Sequence, residues 1–363
     1  MKRRFYFCTM VDYLVVGLGL AGISFCETLE EHGKTFRVVS DDSQKASTVA
    51  GGLYNPVILK RFTLSWKAHE QLAVLPDFYA GLENKLEVTL DHPLRVLRRF
   101  VSPEEQNGWF EASDKPGMGE LMSADLIRNT NPSIDAPFGY GEVLGTGRLD
   151  TELLQETYRK YLTNKSLLVR ETFDFNALKL LEAGVEYKDI RARHLVLAMG
   201  FGLKRDPYFN YLPLNGTKGE LLTVKAPDLN ETRVIKSSVF IIPLGDDLYR
   251  IGATYKWQDK TNLPTQAARE ELEAKLRTFL KCDYEVVDHV AGVRPTVADR
   301  RPLVGRHPLH NSLYVLNGFG SRGVMIAPYA SKALYRLIES GEDLPHDMDI
   351  ARFRKRFEKH ASS

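Results

Sequence analysis

Tyr13-Leu14-Val15-Val16-Gly17-Leu18-Gly19-Leu20-Ala21-Gly22 is the stretch that decides how the chain folds. Four apolar residues in succession read as a short strand buried on both faces. A G-x-G-x-x-G run follows without a gap, and Ile23, Phe25, Cys26 and Leu29 then recur at a spacing that turns one helix face toward a sheet. Gly33 ends that helix as a C-terminal cap, Phe36-Arg37-Val38-Val39 forms the next strand, and Asp41-Asp42 lies just beyond it. Strand, glycine turn, helix, strand and acid within about thirty residues is the context of a dinucleotide-binding fold. Gly17 permits the tight turn, Gly19 lets backbone approach a pyrophosphate, and Gly22 lets helix and strand pack closely. The helix start at Leu20 and Ala21 offers N–H groups and a positive dipole end to phosphates. An acid after the second strand takes ribose hydroxyls; Ser40 stands where it is commonest, and Asp41 comes one place later.

The far end of the chain repeats the device. Ser312 to Leu316 reads as a buried strand, Asn317-Gly318-Phe319-Gly320-Ser321-Arg322-Gly323 as a glycine turn, and Val324 to about Ile338 as a helix, with Pro328 in its early turns. One nicotinamide site does not need this second turn. A flavin does, because a second helix N-terminus facing its pyrimidine edge stabilises negative charge on the reduced ring. Leu195-Val196-Leu197-Ala198-Met199-Gly200 supplies a third apolar strand ending in glycine. Three separated pieces converging on one cofactor describe a discontinuous FAD domain.

Composition sets the outer bounds. The 363 residues suggest about two domains, and 43% hydrophobic with 26% charged residues is ordinary usage that excludes a disordered chain, a collagen-like fibre and a polytopic membrane protein. The formal charge of +2 gives no bulk attraction to nucleic acid or membranes. Two local basic runs, Arg95 with Arg98 and Arg99, and Arg352 through Lys359, read as solvated helix faces. Met1-Lys2-Arg3-Arg4 superficially imitates a signal peptide, but Asp12 and Glu27 interrupt the apolar stretch. Cys8, Cys26 and Cys282 are odd in number and widely spaced, which fits a reducing, cytoplasmic setting. Gly33-Lys34-Thr35 ends like a phosphate-binding loop but lacks the earlier glycine, where Thr28 stands. No metal site is expected: His307 and His310, bracketing Pro308, read as surface residues.

These landmarks resemble the D-amino-acid oxidase family of FAD oxidoreductases, the group that includes glycine oxidase and sarcosine oxidase. The resemblance runs in order through the 17–22 motif, Ala46-Ser47 with Ala50-Gly51-Gly52, Leu197 to Gly200 and Lys218-Gly219-Glu220. It continues through Arg250-Ile251-Gly252-Ala253-Thr254, Gly292-Val293-Arg294-Pro295-Thr296 to Asp299, Pro302 and Gly305, and ends in Gly318 to Gly323 with Ala327-Pro328. It implies an α/β (α+β overall) fold, with a Rossmann-like FAD-binding domain interleaved with a mixed-sheet substrate domain. The FAD domain would collect 1–70, 145–215 and 290–363, and the substrate domain 71–144 and 216–289. Strand-like segments at 220–224, 239–243 and 248–251 and an amphipathic helix over 267–280 are compatible with the second of these.

The chemistry implied is hydride transfer from the carbon beside an amine to flavin N5, giving an imine that hydrolyses, with oxygen as one electron acceptor. It asks for few acids and bases but for the donor C–H held over the ring within about 3–3.5 Å. By resemblance Arg294 holds a substrate carboxylate, for which a guanidinium fork is suited; a structural ion pair is the other reading. Arg322 binds substrate or adds positive charge beside the ring. Arg250 falls near a lysine that sarcosine oxidases link to oxygen activation, and Tyr255 and Trp257 line the pocket or pack the core. The FAD contacts implied are Gly17, Gly19, Leu20, Ala21, Gly22, Ser40, Asp41, Lys45, Ser47, Gly51, Gly52, Gly200, Arg294, Gly318, Gly320, Ser321, Arg322, Gly323 and Val324. With no cysteine near Arg294 or Gly318, FAD is expected to be held non-covalently.

Three functions remain in play. The first is oxidation of a small amino acid or secondary amine. The second follows from 316–323 with Ala327-Pro328, which is similar to the oxidase domain of the bifunctional bacterial enzyme acting on carboxymethylaminomethyl-uridine in tRNA, itself an N-substituted glycine. The third is a flavin-binding module without catalysis, against which Arg294 and both glycine turns speak. No membrane partner is expected, and nothing in the sequence marks an oligomeric state.

Overall fold

The computed structural model describes residues 10–362. The readings placed on Met1–Arg4 and on Cys8 lie outside them. The chain divides into two compact units, one made of Met1–Thr48, Leu153–Gly216 and Arg294–Ser363, the other of Val49–Glu152 and Thr217–Val293.

The first unit is built on a parallel sheet in the order Leu168–Val169, Phe36–Val39, Val11–Val16, Ile190–Leu197 and Leu313–Asn317. Tyr13 to Val16 are at most 2% exposed, which is why this strand is an unbroken apolar run rather than an alternating one. The register brings the strand ends level: Val16 pairs with both Val39 and Leu197, and Leu197 with Val315. Gly17, Gly200 and Gly318 therefore leave the same edge of the sheet. An antiparallel hairpin, Leu178–Leu181 with Gly184–Tyr187, joins the beginning of Ile190–Leu197, and Leu303–Arg306 runs antiparallel to Leu313–Asn317. The helix Leu20–Glu31 packs against the helix Gly323–Ser340. At the end of the first of these Gly33 has φ +65° and Lys34 N donates to Leu29 O, the left-handed closure expected of a glycine cap.

The second unit carries a seven-stranded sheet in the order Glu285–Arg294, Thr217–Lys225, Leu248–Gly252, Phe240–Gly245, Val234–Lys236, Val96–Arg99 and Tyr140–Val143. Its last strand residue, Arg294, is counted with the first unit. The sheet is mixed, since Val234–Lys236 and Val96–Arg99 are parallel while their neighbours are antiparallel. The helix Gln266–Arg277 buries Leu272 and Leu276 against this sheet, and Thr265 caps its start. The α/β fold, with a sheet that is parallel at its centre in the first unit and a mixed sheet in the second, is thus the one read from the sequence.

Two readings need correction. Arg98 and Arg99 do not lie on a solvated helix face but on the strand Val96–Arg99, which enters the sheet because Val96 and Leu97 pair with Val234 and Ile235. Arg99 is 8% exposed, reaches Asp135 Oδ2 at 3.2 Å and lies 5.5 Å from the Phe279 ring centre. His307 is not a surface residue. It is buried, stacked 4.7 Å from His310 and edge-on to Phe209 and Phe357, and burial with the neighbouring His310 pulls it down to about 4. In the basic run at 352–359, the helix Arg354–Ala361 has no buried residue, as read, but Arg352 precedes it with a side chain only 10% exposed, paired with Asp299 and donating to Pro302 O at 2.8 Å. Among the described residues, no helix is long and apolar enough to cross a membrane.

One buried carboxyl stands out in the first unit. Asp206 is wholly buried, its Oδ1 accepts from Tyr208 N at 2.7 Å, and Oδ2 has no hydrogen-bond partner among the described residues. Burial raises it from 3.8 to about 7, so it favours folding when protonated and that contribution is lost as pH rises through about 7. Asp206→Asn should therefore melt higher than the parent near pH 8, by a margin of at most about 4 kcal/mol that shrinks toward pH 4. Thermal melts across that range, with a margin independent of pH, would refute it.

Candidate active site

The first glycine turn is closed by contact distances that leave no alternative residue. Gly17 has φ +99°, and a Cβ there would sit 2.5 Å from Ala198 O; a Cβ on Gly22 would sit 2.0 Å from Gly17 O. The helix Leu20–Glu31 begins at Gly19 with no side-chain cap and no acid in its first turn. Ser47 Oγ accepts from Leu20 N at 3.3 Å and lies 3.1 Å from the position of a Cβ on Gly19. Gln155 braces the same turn: its Nε2 donates to Leu18 O at 2.9 Å and its Oε1 accepts from Thr48 Oγ1 at 2.6 Å. No motif marks Gln155 in the sequence. Its one signal is a polar residue among the apolar positions of the helix Thr151–Asn164.

At the end of the second strand, Ser40 is buried and donates to Asp41 O at 3.2 Å. Asp41 Oδ1 accepts from Ser43 N and Oγ, and Oδ2 from Thr172 Oγ1 at 2.8 Å. Burial pushes this carboxyl up, but those hydrogen bonds outweigh it and hold it below the usual range. It is a charged acceptor with lone pairs to spare. Lys45 is exposed.

Asn317 locks the other two strand ends together. Its Nδ2 donates to Gly200 O at 2.9 Å, and its Oδ1 accepts from Gly318 N at 2.7 Å. Gly200, Gly318 and Gly320 all have positive φ. The helix Gly323–Ser340 starts at Arg322, again without a side-chain cap or a first-turn acid, and Val324 is buried in its first turn. A Cβ on Gly323 would lie 3.0 Å from Leu20 Cδ1, so the two helix starts stand side by side. Ser321 is exposed and Arg322 half-buried in the turn before it.

Arg294 enters from the end of its strand. Gly320 N donates to Pro295 O at 3.1 Å, and Thr296 N to Arg294 O at 2.8 Å, which runs the 294–296 segment along the last glycine turn. Arg294 is half-buried. Within the first unit, then, the structure gathers the 17–22 turn, Ser47, Gly200, Arg294 and 318–324 at one edge.

The other sequence candidates belong to the second unit. Gly52 has φ +70° and a Cβ there would meet Leu149 O at 1.9 Å, so backbone packing inside that unit requires this glycine, while a Cβ on Gly51 would come 3.0 Å from the end of the Ile242 side chain. Arg250 lies in the strand Leu248–Gly252, 4.0 Å from Asp288 Oδ2, with a buried Nη1 that has no hydrogen-bond partner among the described residues. Tyr255 and Trp257 are 58% and 47% exposed, which excludes core packing for either. Among the described residues, no group of three His, Cys, Asp or Glu side chains is placed to hold a metal.

Two uncapped helix starts beside three glycine-ended strands fit a dinucleotide carrying two phosphates and an electron-poor ring. Comparison with known proteins agrees. The chain is 26% identical over 255 residues to glycine oxidase of Bacillus subtilis (strain 168), covering 65% of this chain and 69% of that protein. It is 29% identical to the tRNA 5-methylaminomethyl-2-thiouridine biosynthesis bifunctional protein MnmC of Aromatoleum aromaticum, over 43% of this chain and 28% of that one. The fold is that of glycine oxidase from Geobacillus kaustophilus, with a TM-score of 0.77 at 20% identity, covering 95% of this chain and 98% of that one. The family model for FAD dependent oxidoreductases, DAO, matches residues 12–337, and the chain belongs to that family.

Proposed function

We propose that this FAD-dependent oxidoreductase oxidises the C–N bond of a small amino acid or secondary amine in the cytoplasm. The observation that supports the reading is the backbone of 294–296 running along the last glycine turn, which sets the half-buried Arg294 beside that turn. Bound FAD would supply the two-electron chemistry, as acceptor for hydride from the carbon that bears the amine. The protein's part is to hold and orient. Arg294 receives the substrate carboxylate as a fork, and Arg322 adds positive charge at the same turn. The helix start at Leu20 and Ala21 takes the pyrophosphate, that at Gly323 and Val324 faces the developing negative charge, and Asp41 accepts from ribose hydroxyls. In the second unit, Arg250 and Tyr255 are the candidates for contacting substrate. The imine released is hydrolysed by water, and oxygen is one acceptor for the reducing equivalents.

The matches to the tRNA-modifying proteins support a second reading, in which the amine is an N-substituted glycine carried on tRNA. Arg294 serves both, since each substrate presents a carboxylate. The two differ in competition: the tRNA reading expects modified tRNA to outcompete free sarcosine, with binding that weakens steeply as salt rises.

The purified protein should be yellow, and acid precipitation should leave the flavin in the supernatant; a colour that stays with the pellet would refute non-covalent binding. Arg294→Ala should raise KM for glycine or sarcosine by about tenfold or more while the flavin stays bound, the loss expected for a charge-assisted pair. An unchanged KM would remove Arg294 from substrate binding.

A further inference from the structure

Gly19 lets a pyrophosphate come close, and the same choice of residue loosens the peptide plane in front of it. Without a Cβ at position 19, the Leu18–Gly19 plane can turn over at little steric cost. One edge of that plane is a carbonyl and the other an N–H, so its two orientations offer a phosphate opposite partial charges. Gln155 selects between them. Its Nε2 donates to Leu18 O at 2.9 Å and lies 3.9 Å from the position of a Cβ on Gly19. With the carbonyl held there, the Gly19 N–H on the opposite edge is turned away from Gln155. Gly19 is half-buried, and its N–H has no acceptor among the described residues.

The end of the amide that faces the turn is fixed by its partners. A carbonyl only accepts, so Nε2 must face Leu18 O, and Oε1 then accepts from Thr48 Oγ1 at 2.6 Å. Ser47 and Thr48 thus hold the turn together, the first through Leu20 N and the second through Gln155. Gln155 is 9% exposed, and its helix neighbours Leu154 and Tyr158 are fully buried. An amide in such company is costly unless its hydrogen bonds are made. The support beneath it is firm: Tyr158 OH donates to Glu27 Oε1 at 2.6 Å and Tyr161 OH to Glu30 Oε2 at 2.8 Å, which fastens the helix Thr151–Asn164 to Leu20–Glu31. All of these side chains belong to the first unit.

We infer that Gln155 and Thr48 are positioning residues that hold the Leu18–Gly19 peptide with its N–H turned to the cofactor's pyrophosphate, and so set the affinity for FAD. This goes beyond the proposed function and holds whichever amine is oxidised. Dilution of the holoenzyme, with released FAD followed by its fluorescence, measures the Kd. Gln155→Met keeps the length of the side chain and removes the amide; it should raise the Kd about tenfold or more. The advantage of ADP over adenosine in displacing FAD should shrink by the same factor. Tyr161→Phe, which loosens the same helix away from the turn, should leave the Kd within about twofold. Gln155→Glu separates positioning from packing, because a carboxylate cannot donate to Leu18 O and a protonated carboxyl can. Relative to the parent at the same pH, its Kd should be raised more than about tenfold at pH 8 and should approach the parent's at pH 5. Thr48→Val should act in the same direction as Gln155→Met, and the double variant should bind little worse than the weaker single one. A Gln155→Met protein with Kd within about twofold of the parent, or an unchanged ADP advantage, would overturn the inference. So would a Gln155→Glu deficit equal at the two pH values, which decides the matter if Gln155→Met does not fold.

Discussion

Gly22 has no room for a side chain because the carbonyl of Gly17 occupies the place where it would be, and Gly17 is pressed against Ala198 in turn. This close approach of a helix start to two adjacent strand ends is the constraint on which the rest of the first unit depends. It draws the N–H groups of the helix to the sheet edge and sets the path of the 40–48 segment. It also leaves a slot that Gln155 and Ser47 brace from outside. The last helix starts beside it, since a Cβ on Gly323 would come 3.0 Å from Leu20 Cδ1.

Much of this was legible from local pattern alone. The Phe36–Val39 strand lies where its apolar run and flanking Gly33 place it, and the strand read at 312–316 is observed as Leu313–Asn317. Helices read over 324–338 and 267–280 are Gly323–Ser340 and Gln266–Arg277, with the differences confined to their ends, where capping rather than periodicity decides. These elements speak plainly because burial on both faces, or on one face of a helix, writes itself into every residue.

What stayed illegible depends on partners distant in sequence. Arg98 and Arg99 look like solvated charge until Val234 and Ile235 take Val96 and Leu97 into a sheet. His307 looks like turn polarity until Phe209, His310 and Phe357 close around it. Gln155 and Asn317 secure the glycine turns through single side-chain amides, and no spacing rule distinguishes such an amide from an ordinary polar residue. Lys218 and Glu220 were visible as a landmark, but their hydrogen-bond partners were not, because Asp259, which accepts from Lys218, and Thr265, which donates to Glu220, come 41 and 45 residues later.

The parallel sheet has a consequence for how the chain comes to be folded. Val11–Val16 is made long before its neighbour Ile190–Leu197, and longer still before Leu313–Asn317, which pairs with that neighbour. During synthesis this apolar strand, with only Phe36–Val39 to pair with, must therefore wait for the rest of its sheet, and sheets assembled from such distant pieces form slowly. The cradle for the dinucleotide cannot close on a nascent chain. Cofactor capture is thus a late event, and the interval before it is when this protein is most exposed to aggregation and most dependent on chaperones.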